Sequence, residues 1–371
     1  MSGLSDLETP RLILDRSRLE ANIARMTAAV DALGVALRPH LKTAKSAAVG
    51  ELATAGRRRG ITVSTLQEAE YFADHGFTDI TYAVGIAPGK LDRAAALIGR
   101  GVDLKIIADT VDAARAVAEH GAAFKLLIEV DCGDSRGGTA PGGDTLMAMA
   151  DVLAASGSAR LEGVLTHAGH SYGVDDIEDI RRIAEEERQA VVRAADRLRA
   201  AGHTVSTVSA GSTPTALFSR DATGLTEYRA GVFVFFDLDQ QSRGICRREE
   251  LALSVLSTVI GHNREARKIL IDAGGLALSK DRGANAFRPE VGYGEVCDET
   301  GDPIPGVFVT SVSQEHGHLV LPDEALFDRL PVGSLVRVLP NHACMTAAAY
   351  PDYTVLENGA PTSVWSRCNG W

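Results

Sequence analysis

The chain has 371 residues, more than one compact core usually accommodates, so two domains are the first expectation. A formal net charge of -11 excludes the basic footprint of a nucleic-acid binder and disfavours docking on anionic lipid. No apolar run reaches bilayer-spanning length and no signal-peptide pattern opens the chain, while five scattered cysteines without CxxC pairs fit a reducing cytoplasm. Leu19, Ile23, Met26, Val30 and Leu33 mark one face of a first helix, which Gly34 can end. The stretch 35–42 then reads as a buried strand, followed by a helix over 46–58 and a strand over 61–64. Thr65 with Glu68 three residues on forms a capping box for the next helix. Strand-like segments recur at 80–84, 104–108, 124–130, 161–166, 204–209 and 225–229, separated by alanine-rich helical stretches such as 177–201. Eight such repeats predict an α/β architecture, a closed (β/α)8 TIM-type barrel over 16–250 rather than an open doubly wound sheet. Beyond residue 250 the pattern changes to short β-branched runs at 254–260, 268–272, 307–312 and 335–339. They predict an antiparallel β domain over 251–371, with the N-terminal strand in 1–15 joined to it.

Chemistry in such barrels collects where strands end and βα loops begin. The first strand ends in RPHLKTAKS, which sets Lys42 at the mouth beside His40 and Arg38. Apolar residues before Lys42 predict a desolvated amine, able to act as a nucleophile and form a Schiff base, although most lysines are surface charges. Lys45, one turn on, reads as solvated or phosphate-facing. The seventh strand ends in SAGSTPT, where Ser209, Gly211, Ser212 and Thr213 suit a phosphate, although the same composition makes a plain turn. In THAGHSYG, His167 and His170 are candidate general bases and Tyr172 a hydrogen-bond donor. Arg136 in EVDCGDSRGG can bind an anionic oxygen or pin its own loop, and Glu315 and His316 before Gly317 have a turn as their plain reading. Near the end, His342 and Cys344 form an HxC pair. Read as an extended segment, it puts imidazole and thiolate on one side, a set that favours zinc with open positions, though most HxC pairs bind nothing.

Taken together, TPRLILD, RPHLKTAKS, ITVSTLQEAEYFADHGFTDITYAVGI, EVDCGDSRGG, THAGHSYG, SAGSTPT, IDAGGLALSKD, SQEHG, PNHACMT and Trp371 run through nearly the whole chain. In that order they resemble the D-threonine aldolase and D-serine dehydratase-like family, whose barrel is shared with alanine racemase. The resemblance implies pyridoxal 5'-phosphate on Lys42, with His40 beside it and a phosphate loop at Ser209 and Gly211-Ser212-Thr213. It places Arg136 near the cofactor's phenolic oxygen, Tyr172 in the active-site loop, and a divalent metal on His342 and Cys344. Zinc leads among the metals, with manganese, cobalt or magnesium as alternatives. Ala44 departs from the family's RPHxKTHK, and HxC leans to the dehydratase branch where the aldolases tend to HxD. The implied function is a cytoplasmic, homodimeric lyase for small D-β-hydroxy-α-amino acids, first a D-serine or D-threo-3-hydroxyaspartate dehydratase releasing a keto acid and ammonia. Lys42 as base and His167 and Tyr172 as partners would carry it. Retro-aldol cleavage to glycine and an aldehyde is the alternative, and amino-acid racemisation comes third.

Overall fold

The computed structural model describes residues 3–56 and 60–371. It divides into two compact units, Ala24–Gly231 with Cys368–Trp371, and Met1–Ile23 with Val232–Arg367. In the second of these, β1 (Arg11–Asp15) is the first strand of a mixed sheet. In the other, eight parallel strands follow in chain order. They are β2 (Ala36–Pro39), β3 (Ile61–Val63), β4 (Asp79–Gly85), β5 (Asp103–Ala108), β6 (Lys125–Glu129), β7 (Arg160–Leu165), β8 (Thr207–Ala210) and β9 (Glu227–Ala230). Their hydrogen-bonded order is β2-β9-β8-β7-β6-β5-β4-β3, a nearly closed barrel. The helix expected at 46–58 appears as Ala47–Ala53, and positions 57 and 58 lie outside the described residues.

The seam between β2 and β3 has a local cause. Among the described residues the isolated bridge His40 to Thr62 joins them, with the Leu41 N–H donating to the Thr62 carbonyl at 2.8 Å. The His40 N–H turns the other way, to the Ala230 carbonyl at 2.7 Å. Successive amides alternate in direction, so the donor that would face β3 one step earlier belongs to Pro39, which has none. Arg38 fills that seam. Its Nε donates to Glu227 at 2.7 Å, and its Nη1 to Asp79 at 2.8 Å and to the Ile61 carbonyl at 3.3 Å. Lys105 joins Asp79 at 2.8 Å, so ion pairs rather than methyl groups line this side of the barrel. Arg38 therefore ties strands together and does not belong to the mouth, where the strand-end reading had put it.

The mixed sheet continues with β10 (Leu253–Asn263), β11 (Lys268–Ile271), β12 (Glu295–Asp298), β13 (Pro303–Val312), β14 (Gly317–Val320), β15 (Leu335–Leu339), β16 (Asp352–Glu357) and β17 (Ala360–Ser366). Its order is β11-β14-β13-β12-β15-β10-β1-β16-β17, and β11 also pairs with β10. Six strands thus close on themselves, which removes the open edges a flat sheet would leave. Ile13, Leu256 and Leu356 pack where β1, β10 and β16 meet.

Candidate active site

At the carboxyl ends of the barrel strands the candidate residues gather. Lys42 lies in the turn after β2 and is exposed, because the strand stops at Pro39 instead of running to 42. This differs from the desolvated amine expected of a strand end. Lys45 is neither solvated nor free for phosphate: its amine pairs with the buried Glu68 carboxylate at 3.1 Å. His40 is half-buried and held well below the ordinary imidazole range, by burial first and then by the charges of Lys42 and Arg229. His167 is pushed down to about 3. Burial is the main cause, partly opposed by a hydrogen bond to Gly211 and reinforced by Lys42, Arg136 and Arg229. Both imidazoles are therefore neutral bases set among cations.

The loops after β7 and β8 meet here. The His167 Nδ1 is 3.0 Å from the Gly211 carbonyl, and the Tyr172 ring centroid is 6.3 Å from the His167 ring. The Tyr172 hydroxyl oxygen accepts the Thr213 N–H at 3.3 Å. Ser212 caps the helix Thr213–Phe218, its hydroxyl accepting the Thr215 N–H at 3.2 Å. Ser209 differs from these three. Its hydroxyl donates to Glu227 at 2.7 Å and accepts from Arg229 at 2.6 Å, so it belongs to the barrel's internal network. Arg136 is 60% exposed, with Glu129 at 3.8 Å. Glu129 is raised, burial outweighing the opposite pull of Arg136. His170 stands 3.9 Å from Asp134 in the same set of loops.

In the other unit, His342 and Cys344 do come together, but not by strand alternation. β15 ends at Leu339, Pro340 follows, and His342 is the N-cap of the helix Ala343–Ala347 that carries Cys344. Their side chains are hydrogen-bonded to one another across that first turn. The His342 Nδ1 donates to Asp281 at 2.7 Å. Burial lowers the His342 pKa, but Asp281, Cys344 and buried Asp237 together raise it to about 11. Among the described residues no group of three His, Cys, Asp or Glu side chains forms a closed cation site. Glu315 and His316 sit in the turn between β13 and β14.

Residues 14–239 match the family model described as alanine racemase, N-terminal domain, and residues 252–356 the one described as a putative serine dehydratase domain. The chain belongs to the alanine racemase N-terminal-domain family. Among its relatives, D-threo-3-hydroxyaspartate dehydratase of Delftia sp. (strain HT23) is 46% identical over 99% of each chain. The solved structure of that enzyme superposes with a TM-score of 0.97 over 100% of both chains. D-serine dehydratase of Dictyostelium discoideum is 30% identical over 96% of this chain and 95% of its own. D-threonine aldolase of Arthrobacter sp. is 30% identical over 98% and 92%. A solved cysteine-to-alanine mutant of a D-threo-3-hydroxyaspartate dehydratase is in a metal-free form.

Within this family member, four groups that sequence reasoning left out organise the two sites. Arg229 is buried and donates to Ser209 and to the Thr166 carbonyl, each at 2.6 Å. Glu187 is buried behind the mouth loops, and Asp281 and Asp237 flank His342. Glu187 had a signal, since it falls on the apolar stripe of the helix Ile177–Ala200. Asp281 lay within the quoted IDAGGLALSKD, yet nothing local ties it to a histidine 61 positions away.

Proposed function

We propose that this chain is a pyridoxal-phosphate- and divalent-metal-dependent lyase. It dehydrates a D-β-hydroxy-α-amino acid of the D-threo-3-hydroxyaspartate or D-serine type to a keto acid and ammonia. The observation that carries the reading is 46% identity across 99% of both chains to a dehydratase of that name, with the HxC pair in mutual contact.

The residues present fit both groups. An exposed lysine amine flanked by two neutral imidazoles can anchor an aldehyde cofactor, and the loops around Tyr172, Ser212 and Thr213 supply polar groups beside it. Imidazole nitrogen plus thiol sulfur is a donor set that suits zinc. When bound, the cofactor supplies an electron sink at the substrate's α-carbon, and the cation supplies Lewis acidity for the β-hydroxyl. The chain's own part is to hold and move protons. The Lys42 amine, once released, takes the α-proton, and the bare Nε2 of His167 is the second acceptor at the mouth. Arg136 is the cation available for an anionic oxygen of the bound molecule.

Retro-aldol cleavage is the second reading, favoured by the 30% identity to a D-threonine aldolase. Product analysis separates the two. With D-threo-3-hydroxyaspartate, D-serine and D-threonine as substrates, keto acid and ammonia in equal amounts are expected. Glycine with an aldehyde would replace dehydration by aldol cleavage, and no consumption of any of the three would reject both.

A further inference from the structure

The helix Ile177–Ala200 buries an apolar stripe that includes Ile180, Ile183, Val191 and Leu198, and a carboxylate stands in the middle of it. Glu187 has no exposed surface. A charged group is not placed there for burial energy, since removing a carboxylate from water is costly unless it is hydrogen-bonded. Its Oε1 accepts two backbone N–H groups, those of Ala168 and Gly211, each at 2.9 Å. These amides come from different loops, one after β7 and the other after β8. Ala168 is the residue following His167, and the carbonyl of Gly211 is the partner of the His167 Nδ1 at 3.0 Å. A carbonyl oxygen only accepts, so Nδ1 carries the proton and Nε2 is bare. The close approach of the loop after β8 to β9 needs a glycine at 211. Its φ is +123°, and a Cβ there would lie 2.7 Å from the Arg229 carbonyl oxygen.

We propose that Glu187 is a positioning residue of the barrel-mouth site: one carboxylate oxygen clamps the loops after β7 and β8 together and so locks His167 in the Nδ1–H tautomer, with Nε2 as its proton acceptor. The inference rests on the reading of the mouth as the active site. Burial raises the Glu187 pKa against the hydrogen bonds from Gly211, Thr215 and Ala168. A glutamine keeps an acceptor oxygen, whereas an isosteric methionine has none.

The test reads the imidazole directly. The holoenzyme, reconstituted with pyridoxal phosphate, is labelled with 15N-histidine, and the His167 signals are assigned by their loss in His167→Gln. The parent protein and Glu187→Gln are expected to show His167 protonated on Nδ1. Glu187→Met is expected to shift His167 towards the Nε2–H form. With D-threo-3-hydroxyaspartate its kcat is expected to fall about 10- to 100-fold through misplacement of the base, with KM changed less than about threefold. An unchanged tautomer in Glu187→Met overturns the proposal, and so does a Glu187→Gln protein in which the Nδ1–H form is lost. Should the methionine variant not fold, the glutamine variant decides alone. Tautomer is read whether or not substrate turns over, so failure of the dehydratase reading and failure of the clamp give different results.

Discussion

Two histidines, one in each unit, are driven in opposite directions. His167 sits among Lys42, Arg136 and Arg229 and is pushed down to about 3, whereas His342 sits among Asp281, Cys344 and Asp237 and is pushed up to about 11. Burial lowers both, so the difference lies in the sign of the neighbouring charge. The barrel mouth keeps its imidazoles neutral and collects cations, an environment for an anionic ligand and for proton acceptance. The turn after β15 collects anions around an imidazole, an environment that favours a bound positive charge, be it a proton or a metal ion. One chain thus sets the same side chain in two opposite charge environments.

The largest expected effect comes from removing the central cation of the mouth. Lys42→Ala should abolish the Schiff-base absorption band and lower kcat by roughly a thousandfold or more, as loss of a covalent anchor and base does. Absorption spectra and steady-state rates of the two proteins check this. A variant that keeps the band would show that some other amine holds the cofactor and would break the comparison on its barrel side.

Next in size is the buried frame that carries the mouth. Arg38 serves Glu227 and Asp79 at once with only 8% of its side chain exposed, so Arg38→Met takes the ion-pair partner from buried Glu227, while Asp79 keeps Lys105. Breaking such a buried pair from one side costs about 3–5 kcal/mol, to be read from urea unfolding at neutral pH. The same frame has a pH signature. The Asp79 pKa is lowered, since hydrogen bonds and charges from Arg38 and Lys105 outweigh the burial that would raise it. Its stabilising contribution is therefore full above the ordinary aspartate range near about 3.9 and is lost as pH falls below it. Asp79→Asn should flatten that acid limb of a stability-against-pH curve, and an unaltered limb would show that Asp79 is not the group responsible.

How far the chain could be read before folding depends on the range of each interaction. The eight barrel strands were legible because short strand-like runs alternate with helical stretches, and all eight appear within a few residues of their expected places. Lys42, His167, Tyr172 and Thr213 were legible as strand-end residues, and the structure brings His167, Tyr172 and Thr213 into one contact group. The HxC pair was found for an inadequate reason. Pro340 ends the strand, so it is a helix's first turn that joins the two side chains. Ser209, Arg38 and Lys45 share one cause of misreading. Each has a buried carboxylate partner far along the chain or on another element, and nothing local announces it.

Asp281 is the clearest case of a partner distant in sequence, and its removal is the smallest effect and the sharpest check on the His342 side. Its Oδ2 takes the His342 Nδ1 at 2.7 Å while Oδ1 accepts the Gly283 N–H at 3.0 Å, so the carboxylate is held from both ends. Asp281→Asn keeps the shape and an acceptor oxygen but removes the charge that raises the basicity of His342. Affinity for zinc, measured by competition with a chelator, is expected to fall about 10- to 100-fold, as for other carboxylates that orient a metal-bound histidine. The Schiff-base band at Lys42 should stay as it is, because that amine belongs to the other unit's charge balance. An Asp281→Asn protein that binds zinc as tightly as its parent would mean that the anionic surroundings of His342 serve only its proton, and the contrast between the two histidines would lose its functional meaning.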